Sequence, residues 1–286
     1  MVHKPRIALL LGIICISIFP VIIRLQLSSG LISAFYRMAI AAAILFPYVV
    51  FTNKMKFSSP RMIFPSVLCG IIFASDIAVW NISIQESTAT QATLLTNLSP
   101  VWVGIISFLF LKNKPRPSFW TGVSVAMAGI VVFIGLHTFR ELSFDRAFFL
   151  GMLSGFFYSL YILLSKKVLE TTEVMPFIAV SFISSAIFLL FVNIYAGEAF
   201  TGFGRSGWIA LIVQGVVCQL LAWVLISYAT KHMRATRISL SLLGQVIFAG
   251  LFAWIFINEQ ISLQKIAGGS LILAGIMLTF YEPRKA

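Results

Sequence analysis

Charge is what this chain has least of. Only 10% of its 286 residues are Asp, Glu, Lys or Arg, and nine of them are acids. With 59% of residues drawn from AVILMFWYC and a mean hydropathy of +0.99, a water-soluble globule would have nowhere to put this much apolar surface. Cysteine is scarce too: Cys15, Cys69 and Cys218 are odd in number, lie in apolar runs and match no metal-ligand spacing. They read as inert buried thiols, which excludes a disulfide framework. Histidine is limited to His3, His137 and His232, all at the ends of apolar runs or in tails, so none reads as a proton relay. No phosphate-binding glycine loop precedes a polar helix, so ATP is not expected to act directly. Clustered His, Asp or Glu at catalytic or metal spacing are also lacking, which argues against an integral-membrane enzyme. No cofactor is expected.

What the chain does have is long apolar runs. A helix rising about 1.5 Å per residue needs roughly 20 apolar residues to cross a bilayer core of about 30 Å. Breaks at polar, Pro and Gly clusters leave ten candidates: 7–23, 31–51, 63–83, 91–111, 119–137, 148–164, 175–195, 208–229, 238–257 and 266–281. The lead-in "MVHKPR" is basic, but no small-residue cleavage site follows before Arg24, so the first run reads as a signal anchor and first span. The net charge of +12 comes from bases standing singly or in threes between apolar runs. That is the pattern of oriented loops and not of a nucleic-acid-binding face, so no nucleic-acid partner is expected. With a cytoplasmic N-terminus, fifteen of the twenty-one bases fall on the cytoplasmic side; Arg24, Arg140, Arg146, Arg205 and Lys265 fall opposite, and Arg37 lies within a span. The positive-inside bias then places both termini in the cytoplasm.

The chain also resembles itself. "WTGVSVAMAGIVVFI" and "IAGGSLILAGIMLTF" align Gly122 and Gly129 with Gly268 and Gly275, 146 positions on; "CGIIFASDIAVW" (69–80) aligns with "QGVVCQLLAWVL" (214–225), 145 positions on. Two copies are expected, 1–137 and 148–286, with five spans each. Because five is odd, the second copy enters the membrane from the opposite side. This accounts for two similar hairpins of opposite charge, "FLFLKNKPRPSFW" (108–120) and "WIFINEQISLQKIAGG" (254–269), the second carrying Glu259. The expected fold is therefore all-α and membrane-integral, with ten helices in two inverted-topology repeats.

Several of these stretches together resemble the drug/metabolite transporter superfamily, specifically its EamA-like branch. They are "AFYRMAIAAAILF" with Arg37, "TQATLLTNLSPVWVGIISFLFL" (90–111), "FWTGVSVAMAGIVVF" (119–133) and "LGQVIFAGLFAWIFINEQISLQKIAGGSLILAGI" (243–276). The chain departs from the family pattern at Asn113–Lys114, where relatives usually carry an acid, and at Gln245, where relatives have a proline in span 9. The resemblance implies transport of a small metabolite such as an amino acid derivative, a nucleotide-like compound or a drug, by export more often than uptake. It also implies residence in the cytoplasmic membrane.

In repeat-built carriers the binding site lies near the midplane, and polar groups facing lipid are costly. The expected substrate-binding residues are Asp76, Trp80 and Asn81 in span 3, Asn97 in span 4, Tyr158 and Tyr161 in span 6, Gln219 and Trp223 in span 8, and Ser241 and Gln245 in span 9. For any one amide, holding helices together is an equally good reading. Asp76, as a buried acid, must be paired, hydrated or protonated, and is the residue expected to act if transport is proton-coupled. Arg37 is read first as a side chain snorkelling to the interface, with pairing to Asp76 or an anionic substrate as the alternative. Glu259 is read as a loop anchor, with gating as the alternative. Pro20 and Pro100 are expected to kink their helices, and the paired glycines to pack helices. Trp102, Trp208 and Trp254 are candidates for an interfacial belt. The leading function is a secondary transporter, with a channel as the alternative. The expected partners are a small-molecule substrate, the lipid bilayer and, in the coupled case, protons; the oligomeric state is left open.

Overall fold

A chain that crosses a bilayer must satisfy its backbone polar groups internally, because lipid offers no partner. The computed structural model describes residues 3–55, 57, 59–86, 89–112, 114–135 and 144–280, with positions 89 and 90 described by backbone alone. His137, Asn113 of the family comparison, and Lys56, Arg140, Arg284 and Lys285 of the charge argument lie outside these residues. The described residues hold ten spans: α1 His3–Arg24, α2 Gly30–Phe51, α3 Pro60–Glu86, α4 Gln91–Phe110, α5 Pro117–Ile134, α6 Arg146–Leu169, α7 Val174–Ala196, α8 Arg205–His232, α9 Ala235–Ile257 and α10 Leu263–Phe280. Among the described residues a helical span lies at each of the ten expected runs. The largest difference is at the end of α6, which continues through Lys166 and Lys167: charge ends the apolar run, but it does not end a helix.

Local signals set several ends. Ser29 Oγ accepts from Ile32 N at 3.2 Å to cap α2, and Asp145 Oδ1 accepts from Phe148 N at 3.0 Å to cap α6. Asn258, at φ 53°, turns the chain out of α9 in the left-handed conformation that asparagine tolerates better than most residues.

Three spans are discontinuous. α1 breaks between Ile16 and Phe19, α4 between Thr96 and Ser99, and α9 at Leu243. Each break has the same hydrogen bonds: the backbone N–H of Ile18, Leu98 or Leu243 donates to the carbonyl three residues back, and its own C=O accepts from the residue three ahead. Pro20 and Pro100 follow the first two breaks, as expected, but Pro47 lies inside an unbroken α2. α9 breaks with no proline, just ahead of Gly244 and Gln245. α8 takes a different course and widens into a π-helical stretch from Gln214 to Leu221.

The helices pack in an orderly set of pairs: α5 on α10, α3 on α6, α1 on α8, α2 and α3 on α7, α2 on α8, and α4 on α6 and α9. One apolar core joins α1, α2, α3, α6, α7 and α8 around Phe73, Phe177 and Phe182. A second joins α4, α5, α9 and α10 around Phe119, Ile130 and Ile272. Side chains such as Phe51, Phe110, Phe191 and Tyr195 point outward, where lipid would cover them. Trp254 and Trp208 are among these, Trp208 also packing against Tyr36 and Phe203, whereas Trp102 is half-buried and packs edge-on against Phe156.

The tightest seam is α5 against α10. A Cβ on Gly129 would come within 2.6 Å of Ile272 N and 2.8 Å of Gly268 O, and one on Gly275 would come within 2.5 Å of Gly122 O. The glycines of α6 do the same against α4: a Cβ on Gly155 would meet Leu95 O at 2.9 Å. Gly129→Val should therefore force α5 and α10 apart and cost roughly 1–3 kcal/mol, the usual range for overpacking. Gly244→Ala, where the nearest atom is 3.7 Å away, should be close to neutral. Thermal unfolding of the detergent-solubilised variants checks both.

Candidate functional site

Backbone that is not helical is tolerated at membrane depth only where it lines a cavity or is buried in protein. All three helix breaks line one cavity of about 460 Å³: Phe19 and Pro20 from α1, Asn97 and Ser99 from α4, Leu243 and Gln245 from α9. Of the expected residues, Asp76, Trp80, Asn97, Tyr158, Trp223, Gln245, Arg37 and Glu259 all line it. The cavity runs from the middle of the bundle to the membrane end where Arg24, Glu259 and Lys265 stand. At the opposite end the helices are tied together. Lys231 Nζ reaches Glu173 Oε1 at 2.9 Å and Thr172 O at 3.2 Å, and Lys166 Nζ donates to Lys231 O at 2.9 Å.

Four expected residues do not line the cavity. Asn81 turns back to donate to Ile77 O at 2.8 Å and lies against Gly30. Tyr161 stands behind the wall, stacked on Phe73 at 4.5 Å and edge-on to Trp223 at 5.3 Å. Gln219, in the π-helical stretch, is fully buried, and Ser241 is buried; among the described residues neither amide atom of the one nor the hydroxyl of the other has a hydrogen-bond partner. Helical spacing alone does not say which side of a helix faces a cavity and which a neighbour.

Asp76 is 6% exposed and accepts a hydrogen bond from Ser154 Oγ at 2.6 Å. Ser154 Oγ also lies 2.8 Å from Thr96 Oγ1. A hydroxyl has one proton to give, and Ser154 gives it to Asp76, so Thr96 is the donor in the second bond. The chain Thr96–Ser154–Asp76 thus ties α4, α6 and α3 together beside the cavity. Sequence reasoning missed Ser154 and Thr96 because small hydroxyls are common in membrane helices and carry no distinctive pattern.

Arg37 does not snorkel. It is 4% exposed, its guanidinium carbon lies 4.2 Å from the centre of the Phe19 ring, and it lines the cavity from α2. Among the described residues none forms a hydrogen bond or ion pair with it, and its Nε is buried without an acceptor. Asp76 lines the same cavity from α3 but is not within ion-pair reach of Arg37.

Aromatic rings make up much of the remaining wall. Phe73 meets Trp223 edge-on at 4.6 Å, Tyr158 meets Trp223 at 6.3 Å, and Phe19 meets Trp80 at 6.3 Å. At the mouth Glu259 bonds Lys265 Nζ at 2.5 Å and pairs with Arg24, linking the end of α1 to the α9–α10 turn. Partial burial pushes the Glu259 carboxyl up, but the bond from Lys265 and the charges of Arg24 and Lys265 outweigh it and hold it below its ordinary value. Arg24 and Lys265, both missed as site residues, are visible only once the two span ends are brought together. No group of three potential metal ligands occurs among the described residues.

Comparison with known proteins agrees with this architecture. The model of the EamA-like transporter family matches residues 4–135 and again 145–281. An uncharacterized transporter of Archaeoglobus fulgidus is 26% identical over 86% of this chain and 86% of its own. The uncharacterized transporter YdfC of Bacillus subtilis is 22% identical over 88% and 82%. An S-adenosylmethionine uptake transporter of Rickettsia bellii is 21% identical over 88% and 84%. A crystal structure of a protein 15% identical superposes with a TM-score of 0.81, covering 96% of each chain, which shows a shared fold. With ten membrane-spanning helices and a family model matched along almost its whole length, the chain is a multi-pass membrane protein that belongs to the EamA-like transporter family and moves small solutes.

Proposed function

We propose that the protein is a secondary active transporter working by alternating access, and that it moves a small organic metabolite through the cavity between its two halves. One observation carries this reading: the described lining of the cavity reaches from mid-bundle to a single membrane end, while at the other end lysine contacts join α6, the α6–α7 turn and α8. A carrier caught in one state has this form, whereas a channel would be continuous. The two halves are 1–137 and 148–286, inverted with respect to each other, with both termini cytoplasmic. Two features support the repeat. The breaks at Leu98 and Leu243 are 145 positions apart, the offset at which the two halves align. Contacts also come in exchangeable pairs: α3 on α6 matches α8 on α1, and α3 on α7 matches α8 on α2. The same offset sets Gln245 against Pro100, so the family's proline position is occupied by an amide at a break that forms without it.

In this reading substrate meets Asp76, Trp80, Asn97, Tyr158, Trp223 and Gln245, and Glu259 latches the mouth in its cytoplasm-distal position. The name of the Rickettsia relative favours a metabolite of about nucleoside size, which the cavity volume can hold. Transport and not catalysis is the expected activity, since the relatives carry transporter names.

Uptake into proteoliposomes, across amino acids, nucleosides and organic cations with and without a pH gradient, tests the reading. Wild type should carry at least one solute and show counterflow, which a pore does not. Asp76→Asn should lose all pH-driven accumulation; full accumulation in this variant would remove Asp76 from any coupling role. Glu259→Gln should lower the thermal midpoint at neutral pH by an amount worth less than about 1 kcal/mol, because the latch is half-exposed. A depressed carboxyl contributes above its ordinary range, about 4.3, and the contribution is lost as the pH falls through the lowered value. The gap between wild type and Glu259→Gln should therefore close in acid.

A further inference from the structure

A buried arginine with nothing to bind is costly. A guanidinium presents five N–H donors, and a cation at membrane depth is retained only when it is paired, hydrated or required by a ligand. Arg37 has the face of Phe19 on one side, no acceptor from the described protein residues, and the cavity in front of it. Asp76 stands in the same cavity with one hydrogen bond, from Ser154 Oγ to its Oδ1, which leaves most of its acceptor capacity unused. The two charges face one space without neutralising each other through a direct bond.

From this we infer that the cavity recognises a zwitterion, a metabolite bearing an α-amino acid head group: its carboxylate is taken by Arg37, its ammonium by Asp76, and its remainder lies against Trp80, Tyr158 and Trp223. The inference rests on the reading of this cavity as the transport site. Its logic is one of compensation. A purely cationic ligand on Asp76 leaves Arg37 buried and unpaired, and a purely anionic ligand on Arg37 leaves Asp76 to be protonated or hydrated; a ligand with both charges pairs both groups directly. Arg37 suits a carboxylate, because its planar fork can give two parallel hydrogen bonds where an ammonium gives a point contact. The aromatic wall accepts an aromatic, thioether or cationic remainder with little polar demand. The other charges on the cavity, Arg24, Glu259 and Lys265, are engaged with one another at the mouth.

The test compares matched probes on the purified protein in detergent and in proteoliposomes. The zwitterions are the twenty proteinogenic amino acids and S-adenosylmethionine. The cations are the corresponding amino acid amides, the anions are the deaminated acids, and glucose and adenosine are the neutral probes. Wild type should bind and carry at least one zwitterion, and should prefer it to its amide and its deaminated acid by at least about 10-fold. Arg37→Gln should weaken that zwitterion about 10- to 100-fold while binding its amide as wild type does, and Arg37→Lys should fall between. Asp76→Asn should show the mirror image, losing the zwitterion while keeping the deaminated acid. If wild type carries cations, anions or neutral solutes and no zwitterion, the inference fails and the transporter reading stands. If Arg37→Gln weakens zwitterion and amide alike, Arg37 is a structural residue and the inference fails. If wild type carries no probe of any class, the transporter reading fails with it. The wild-type probe series needs no variant to fold, so it decides the matter even where Arg37→Gln is unstable.

Discussion

The structure depends on one constraint: in a dry hydrocarbon layer, every backbone N–H and C=O must find its partner inside the protein. Unbroken helices meet it trivially. The breaks in α1, α4 and α9 meet it by tightening, with Ile18, Leu98 and Leu243 each bonded three residues back, and with Ser17 Oγ and Asn97 Nδ2 adding donors to Ile13 O and Thr93 O. Such breaks are tolerated only around a cavity, so their meeting at one place determines where the protein can hold a ligand. The site is polar because it is where the helices are interrupted.

A second consequence is electrostatic. Charges that would be ruinous against lipid sit in the walls of this space, and their arrangement differs between its depth and its mouth. At the mouth Arg24, Glu259 and Lys265 satisfy one another, so they form a structural clasp. In the depth Arg37 and Asp76 do not, and the aromatic rings around them supply apolar contact without competing for hydrogen bonds. The end of the bundle bearing Lys166 and Lys231 is held by bonds from lysines to backbone carbonyls and by the exposed Lys231–Glu173 ion pair, both of which can be exchanged for water at little cost. A bundle clasped at one end by the Arg24–Glu259–Lys265 group, and at the other by lysine–carbonyl bonds and the Lys231–Glu173 ion pair, has two weak closures and a strong middle.

Most of the fold was legible in the sequence because the bilayer imposes a single coarse rule on length and polarity. Ten runs of about twenty apolar residues admit few alternatives, and helix propensity hardly matters when every other conformation leaves amides unpaired. The glycines at 122, 129, 268 and 275 were legible for the same reason: their spacing puts them on one face, and small faces pack. Side chains were harder to place. Asp76 and Arg37 stood out because charge inside a span is rare. Gln219 and Asn81 looked equally suitable as amides at helical spacing, yet one is enclosed within α8 and the other folds back on Ile77. Which face of a helix meets the cavity depends on how its neighbours are rotated, and in a chain this uniformly apolar no hydrophobic stripe records that rotation. The π-helical widening of α8 shifts the register further, and nothing in "QGVVCQLL" announces it.

The seam between α5 and α10 shows what the absence of side chains does to mechanics. Two helices meshed through long side chains can slip by a rotamer and find another fit. Two helices in backbone contact at Gly122, Gly129, Gly268 and Gly275 have no rotamers to exchange there, and a shift of one residue would drive the side chain of an alanine or an isoleucine toward a carbonyl. Gln264 Nε2 bonding Val132 O at 2.8 Å fixes the same alignment near the seam's end. The pair is thus a fixed spindle, and whatever turning the bundle does must be carried by the looser contacts on the far side of the cavity.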